Sequence, residues 1–115
     1  MITEKSVEDF VRAFNVVSIA ANRISREHGF WDEKRNDGEV MALIHSEVSE
    51  ALEALRNNNP PSNRLVEFTS VEEELADVII RIMDYAWGNQ LSLAQAILAK
   101  MEYNEGREFM HGRSF

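Results

Sequence analysis

Two segments of the chain each carry a pair of acidic residues separated by two positions. Glu47 and Glu50 form the first pair, and Glu74 and Asp77 form the second after 23 intervening residues. Residues three apart lie one turn apart on the same side of a helix, so each pair can direct two carboxylates towards one point. Four carboxylates form an all-oxygen ligand set, which suits Mg²⁺ or Mn²⁺ better than zinc or copper. The spacing predicts a divalent metal site with these four residues as ligands.

The negative charge of the chain is concentrated around these two pairs. The formal net charge is −8, and residues 39–55 and 71–86 together contain nine acids and one base. The remaining residues contain 11 acids and 11 bases. A solvated helix face usually mixes the two signs, because like charges at helical spacing repel each other. The imbalance favours a bound cation, and it argues against binding to a nucleic-acid polymer, which needs a basic surface.

The pattern of apolar residues predicts the elements that position these acids. Apolar residues recur at the i, i+3, i+4, i+7 spacing of amphipathic helices, and no window alternates like a half-buried strand. Glycines and a proline pair separate the periodic segments. We expect one all-α domain over residues 1–115, a four-helix bundle. The predicted helices cover about 6–28, 39–56, 70–87 and 92–107, followed by a tail at 108–115.

Helix starts and the position of the acids refine this arrangement. Ser70 with Glu73, and Ser92 with Gln95, match the capping-box pattern. Glu47 falls inside the apolar stripe of the second helix, and if the second and third helices pack side by side, the four acids meet at the rim of the core. The predicted stripe consists of Val40, Leu43, Ile44, Val48, Ala51, Leu52 and Leu55.

The acidic pairs and their surroundings resemble a known family. Glu47-Val-Ser-Glu50 followed by Glu74-Leu-Ala-Asp77 resembles the E-x-x-E and E-x-x-D signature of the MazG-like nucleoside triphosphate pyrophosphohydrolases, which are all-α. The flanking residues 43–54 and 73–82 are similar to that family's second and third helices. Residues 100–107, followed by His-Gly, are similar to its closing K-x-x-x-N-x-x-R and H-G pattern. The resemblance covers about residues 27–113, although the family more usually has lysine after that last glycine, where this chain has Arg113.

The resemblance implies an activity, a cofactor and an assembly. It implies hydrolysis of a nucleoside triphosphate, either NTP or dNTP, to the monophosphate and pyrophosphate, as in house-cleaning of the nucleotide pool. It implies Mg²⁺ held by the four acids, with Mn²⁺ as a substitute, and a homodimer or a dimer of dimers. Attack on the α-phosphorus needs neutralised charge and an oriented water, both of which metal ions supply. The chain has no G-x-x-x-x-G-K-[ST] loop, which excludes a P-loop mechanism.

Further residues are candidates for binding the substrate or a second subunit. Lys100, Asn104 and Arg107 follow one stripe of the fourth helix, and the resemblance implies that they hold the phosphates; the alternative is a solvated polar face. Arg81 either contacts phosphate or pairs with the nearby acids. Phe30 and Trp31 either stack on a base or pack at the end of the first helix. Apolar residues off the main stripe of the third helix predict a subunit interface; these are Ile80 and Met83.

Two other functions are compatible with the same residues. The chain could be a non-catalytic acidic helical module that binds a cation or a basic partner, or a phosphoribosyl-ATP pyrophosphohydrolase, which shares the signature. A ferritin-like di-iron site is less favoured, because it needs two Glu-x-x-His motifs and only Glu108 with His111 fits. The N-terminus has no signal-peptide pattern and no segment is apolar enough to span a bilayer, so we expect a cytoplasmic protein.

Overall fold

The part of the chain that the structure describes folds into four α-helices, as the sequence predicts. A computed structural model describes residues 2–114; Met1 and Phe115, which the predicted domain and tail include, lie outside the described residues. Within residues 2–114 there is no β-strand, which confirms the all-α class. The helices are α1 (Glu4–Glu27), α2 (Asp37–Arg56), α3 (Ser70–Gly88) and α4 (Leu93–Glu105), and a short 3-10 turn covers Phe109–Gly112 in the tail.

The cap of α3 lies one residue before the predicted position. The Thr69 side chain accepts the backbone N–H of Glu72, and the Glu72 carboxylate accepts the N–H of Thr69, which completes a capping box. The prediction of Ser70 with Glu73 was therefore wrong by one residue. Thr69 with Glu72 and Ser70 with Glu73 both have the spacing of a capping box, so spacing alone does not separate them. The shift leaves Glu73 free to accept a hydrogen bond from the buried Ser62 hydroxyl, which ties the α2–α3 connection to α3.

Both ends of α4 also differ from the prediction. Ser92 occupies the N-cap position, but its side chain makes no capping hydrogen bond, so the predicted pairing with Gln95 does not form. The helix ends at Glu105, which places Arg107 beyond its last turn. α1 covers Glu4–Glu27 where the sequence predicts about 6–28. Gly29, directly after the cap, has a φ of +88°, a conformation that glycine adopts without strain.

The third helix lies at the centre of the fold. It packs along α2 on one side and along α1 on the other, while α4 packs against α1. The two acid-bearing helices, α2 and α3, are therefore direct neighbours, as the predicted metal site requires. No helix within the described residues has a long enough apolar stretch to cross a membrane.

The buried core is built mainly from small side chains. Five of the seven buried apolar residues within the described range are alanines; the set is Ala21, Val40, Ala51, Ala54, Ala86, Ala94 and Leu98. Small residues let helices approach closely but bury little apolar area. Val48, Leu52 and Leu55, which the sequence places on the core-facing stripe of α2, are about half exposed. The structure therefore divides that stripe into a buried seam and an exposed apolar strip.

Candidate metal centre and adjoining cleft

Three of the four predicted ligands converge between α2 and α3. One carboxylate oxygen from each of Glu47, Glu50 and Glu74 lies within 4.8 Å of the other two. Glu47 is buried, Glu74 is half-buried and Glu50 is exposed, so the group opens from the core to solvent. We call these three residues the acid cluster. Its donors are all carboxylate oxygens, and such a group could hold a divalent cation of the oxygen-preferring kind.

Glu47 has one paired and one unpaired oxygen. Its Oε1 accepts a hydrogen bond from Arg81 Nε at 3.1 Å, while Oε2 is buried and has no hydrogen-bond partner within the described residues. A buried carboxylate oxygen without a partner costs free energy, because it has lost water and gained nothing. A cation bound in the acid cluster would remove that cost.

The proximity of the acids perturbs the titration of Glu74. Burial, together with the neighbouring carboxylates of Glu50 and Glu47, raises the pKa of Glu74 to about 7. A like charge nearby disfavours ionisation, and a cation among the three would favour it. The carboxylates are therefore arranged in a way that a positive charge would stabilise.

Asp77 lies beside the acid cluster and is not one of its three converging members. Burial, followed by the negative charges of Glu47 and Glu73, raises the pKa of Asp77, while Arg81 and Arg64 act in the opposite direction. Its charge therefore interacts with that of Glu47 although its oxygens do not join the group. The structure brings together three of the four predicted ligands and places the fourth at their margin.

A cleft of about 370 Å³ adjoins the acid cluster between α1, α3 and the two connections that flank α2. Glu47 and Asp77 line it on the side of the cluster. Its cationic lining residues are Arg35, Arg64 and Arg81, and its apolar lining includes Ile24, Phe30 and Ile80. The cleft thus combines cationic groups and an apolar surface next to a candidate cation site, and its volume falls within the range of small-molecule sites.

Arg81 and Trp31 occupy specific positions around this cleft. Arg81 forms an ion pair with Glu47 and lines the cleft. Trp31 is half-buried and donates its indole N–H to Asp84 at 2.9 Å, while the guanidinium of Arg26 lies 4.7 Å from its ring centroid. The neighbouring Phe30 is 58% exposed and lines the cleft. The aromatic side chain with a free surface at the cleft is Phe30.

The three predicted phosphate ligands of the fourth helix do not line this cleft. Lys100 Nζ and Arg107 Cζ lie 4.6 and 5.7 Å from the ring centroid of Tyr103, so both cations stack on that side chain. Asn104 is half-buried, and its Oδ1 has no hydrogen-bond partner within residues 2–114. Within one chain α4 packs against α1, which separates this stripe from the acid cluster.

Three charged residues of the cleft were not predicted from the sequence. Arg35 and Arg64 come from connections without a periodic pattern, so no local signal marks them as site residues. Asp84 lies seven residues after Asp77 on α3, and this two-turn spacing puts both on one side of the helix. That spacing is the one signal in the sequence that could have assigned Asp84 to the site.

Ile80 and Met83 differ in exposure. Ile80 is 47% exposed and faces the cleft, whereas Met83 is half-buried. The more extensive apolar exposure on the acid-bearing helices lies elsewhere, at Val48, Leu52 and Leu55 of α2 and at Leu75 and Ile79 of α3.

A larger cavity, of about 600 Å³, lies between α1 and the α3–α4 connection. Its lining contains Arg26 and several amide side chains but no carboxylate, so it offers no comparable cation site. Ligand chemistry therefore places the candidate metal centre at the smaller cleft.

Comparison of the chain with protein-family models, with curated proteins and with solved structures finds no match.

Proposed function

We propose that the protein hydrolyses a nucleoside triphosphate, either NTP or dNTP, to the monophosphate and pyrophosphate with Mg²⁺ held by the acid cluster. The observation that carries this proposal is the convergence of three carboxylates from two helices, one of which has a buried, unpartnered oxygen. The sequence signature that resembles the MazG-like pyrophosphohydrolases supplies the reaction class. Clearing the nucleotide pool is the role that such a reaction would serve.

The residues present fit a magnesium ion. All three donors are carboxylate oxygens, the ligand type that Mg²⁺ prefers, and two ligands of one Mg²⁺ lie at most about 4.2 Å apart. The three donor oxygens lie within 4.8 Å of one another, which is close to that limit. Glu50 is exposed, so its side chain has the freedom to adjust to an ion. A bound Mg²⁺ would neutralise phosphate charge and activate a water at neutral pH.

The residues of the chain would bind the metal, orient the water and contact the substrate. Glu47, fixed by Arg81, would give the site its rigid ligand, and Glu50 and Glu74 would complete it. Asp77 would stand at the edge of the site, where a carboxylate can act as a fourth ligand or orient a water. Arg64, whose side chain is 82% exposed, pairs with Glu73 at 3.2 Å. It would turn towards the phosphates of a substrate in the cleft at the small cost of that surface ion pair. Phe30 would offer the apolar surface.

The test is a product analysis. Purified protein is incubated in Mg²⁺ with each common NTP and dNTP, and separately with phosphoribosyl-ATP, and the products are separated by ion-exchange chromatography. A monophosphate and pyrophosphate are expected. A diphosphate with orthophosphate would contradict the proposal. Cleavage of phosphoribosyl-ATP alone would assign the chain a phosphoribosyl-ATP pyrophosphohydrolase activity instead. Cation binding without turnover of any substrate would indicate a non-catalytic acidic module.

We further propose that the working unit is a dimer of this chain, or a dimer of such dimers. A compact monomer of 13.2 kDa is expected to expose about 6,400 Å², whereas this chain exposes 8745 Å². The excess, roughly 2,300 Å², is close to what one partner buries in an obligate homodimer. The radius of gyration of 16.6 Å likewise exceeds the roughly 13 Å expected for this length.

The exposed apolar side chains of α2 and α3 are the candidate dimer surface. Val48, Leu52 and Leu55 are each about half exposed, as are Leu75 and Ile79. A second copy is the occupant that the excess area favours, because isologous pairing would cover the same surface on both chains. It would also bring a second α4 near each acid cluster if the two chains cross there, which would give Lys100, Asn104 and Arg107 access to a substrate.

A further inference from the structure

Asp84 is a buried carboxylate that lies outside the acid cluster. It is 6% exposed and sits on α3 two turns after Asp77, on the same cleft. No motif in the sequence predicts a role for it. Because a buried charge must be compensated by polar partners, the identity of those partners indicates what the residue does.

Three donors converge on this one side chain, and all come from α1 or from the segment that follows it. Asn22 Nδ2 and Trp31 Nε1 each donate to Oδ1 at 2.9 Å. Arg35 donates to Oδ2 at 3.2 Å, and its side chain is 13% exposed. A single residue of α3 therefore fixes α1 and two points of the α1–α2 connection.

The Trp31 ring is held by further contacts. Gly88 of α3 packs directly against it, since a Cβ at that position would come within 2.2 Å of the ring. The guanidinium carbons of Arg26 and Arg35 lie 4.7 and 5.3 Å from its centroid. The ring is thus enclosed by α3 and two cations, which sets the course of the connection on either side of it.

This connection forms one wall of the cleft beside the acid cluster. Phe30 and Arg35 both line the cleft, as do Glu47 and Asp77. Phe30 directly precedes the anchored Trp31, so its position depends on the anchor. Displacing Trp31 would therefore move the surface that faces a ligand while leaving the carboxylates in place.

We infer that Asp84 is a positioning residue, which holds the Phe30 and Arg35 wall at the distance from the acid cluster that a bound nucleotide requires. The inference rests on the proposed function for the identity of the ligand. Loss of the anchor should weaken binding of the part of the substrate that contacts the wall. It should leave metal binding and the chemical step unchanged, because those belong to the acid cluster.

The experiment compares Asp84→Asn and Gly88→Ala with the wild-type chain. Asp84→Asn retains the shape of the side chain but removes one acceptor oxygen, and Gly88→Ala displaces Trp31 from a position that does not line the cleft. Both should raise KM roughly 10- to 100-fold, as expected for the loss of a charge-assisted hydrogen bond, with kcat within about twofold. Gly106→Ala is the matched control, since an added Cβ there meets only an ordinary contact of 3.7 Å.

Two further measurements keep the inference separable from the proposed function. The first is the Kd for an α,β-methylene analogue of ATP in Mg²⁺, which reports binding whether or not the chain cleaves nucleotides. The second is hydrogen exchange of the Trp31 indole N–H and of backbone amides 28–36, which should accelerate in both variants while exchange in α2 stays constant. Should Asp84→Asn fail to fold, Trp31→Phe removes a single donor and carries the same expectations.

Each outcome has a defined meaning. A raised Kd in both variants together with faster exchange supports the positioning role, even if no pyrophosphate is ever released. An effect of Asp84→Asn without an effect of Gly88→Ala would mean that Asp84 contacts the ligand directly and would overturn the inference. Unchanged exchange in residues 28–36, or a loss of kcat rather than of affinity, would also overturn it, as would an absence of any binding by the wild-type chain.

Discussion

Arg81 pairs with only one oxygen of Glu47. The Nε atom of Arg81 lies 3.1 Å from Oε1, and Oε2 remains buried without a partner among the described residues. The ion pair fixes the Glu47 side chain while leaving one oxygen available to a cation. A ligand preorganised in this way loses little conformational freedom when the ion binds.

Replacing Arg81 with Gln should destabilise the metal-free protein. Glu47 would become a buried carboxylate without its cationic partner. We expect a loss of about 1–3 kcal/mol in the free energy of unfolding. This is less than the loss for a fully buried pair, because Arg81 is 33% exposed. Saturating Mg²⁺ should recover part of the loss. Urea titrations with EDTA and with Mg²⁺ measure both values, and Arg12→Gln, in an exposed ion pair, is the control. Equal losses in the two conditions would argue against a cation at Glu47.

Changing Glu50 to Gln should abolish turnover and preserve the fold. The amide has the same shape but carries no charge, so a metal ligand worth several kcal/mol is lost, and kcat should fall roughly 100-fold or more. Glu53→Gln, one turn further along the exposed side of α2, is the matched control and should retain full activity. Pyrophosphate release measures the rate, and circular dichroism checks the helices. A Glu50→Gln protein with a near-normal rate would remove Glu50 from the site.

Without metal, the protein should become less stable as the pH rises from about 4.5 to about 7. The pKa of Glu74 is raised to about 7, so the folded state retains a proton that the unfolded chain, with a pKa near 4.5, has already released. Unfolding therefore becomes more favourable with each increment of pH across that window, and below it both states are protonated. The raised pKa of Asp77 acts in the same direction.

Thermal melts in EDTA between about pH 5 and pH 8 measure this dependence. The Tm of the wild-type chain should fall as the pH rises, and Glu74→Gln should flatten the curve because the amide does not titrate. Glu53→Gln should leave the slope unchanged. A Glu74→Gln protein with the wild-type slope would show that another group is responsible.

Magnesium should raise the Tm more than an equal ionic strength of sodium chloride does. Binding to the folded state alone adds roughly 2.7 kcal/mol when the free metal is a hundredfold above its Kd. Acids that are merely solvated would respond only to screening, which any salt provides. Melts in EDTA, in Mg²⁺ and in matched sodium chloride separate the two cases. The same midpoint in both salts would count against a specific site.

The chain should behave as a dimer or a larger assembly in solution, and Leu52→Glu should disrupt it. Leu52 lies on the exposed apolar strip of α2 and is 51% exposed in one chain, so a glutamate there is tolerated by a monomer but not inside an interface. Light scattering at micromolar concentration should give at least twice 13.2 kDa for the wild type and a lower mass for the variant. Val66→Glu, in the α2–α3 connection and 74% exposed, is the control. A monomeric wild type with full activity would contradict the prediction.

The helical class and most of the acid cluster could be predicted from the amino-acid sequence. Periodic apolar residues and local punctuation define helices without reference to distant contacts, and acids three apart necessarily share one side of a helix. Glu47, Glu50 and Glu74 could therefore be assigned to one site once α2 and α3 were expected to be neighbours. Capping was less certain, since Thr69 with Glu72 and Ser70 with Glu73 have equal spacing and only the competing bond from Ser62 separates them.

The remaining parts of the site depend on contacts that the sequence pattern does not predict. Whether an arginine pairs with an acid, and whether an aromatic side chain faces a ligand or packs inside, depends on residues far apart in the chain. The pairing of Arg81 with Glu47 spans 34 positions, and that of Trp31 with Asp84 spans 53. The division of the α2 stripe into a seam that buries Ala51 and a strip that exposes Leu52 has the same origin, because periodicity shows which residues share a face but not how much of that face a neighbouring helix covers.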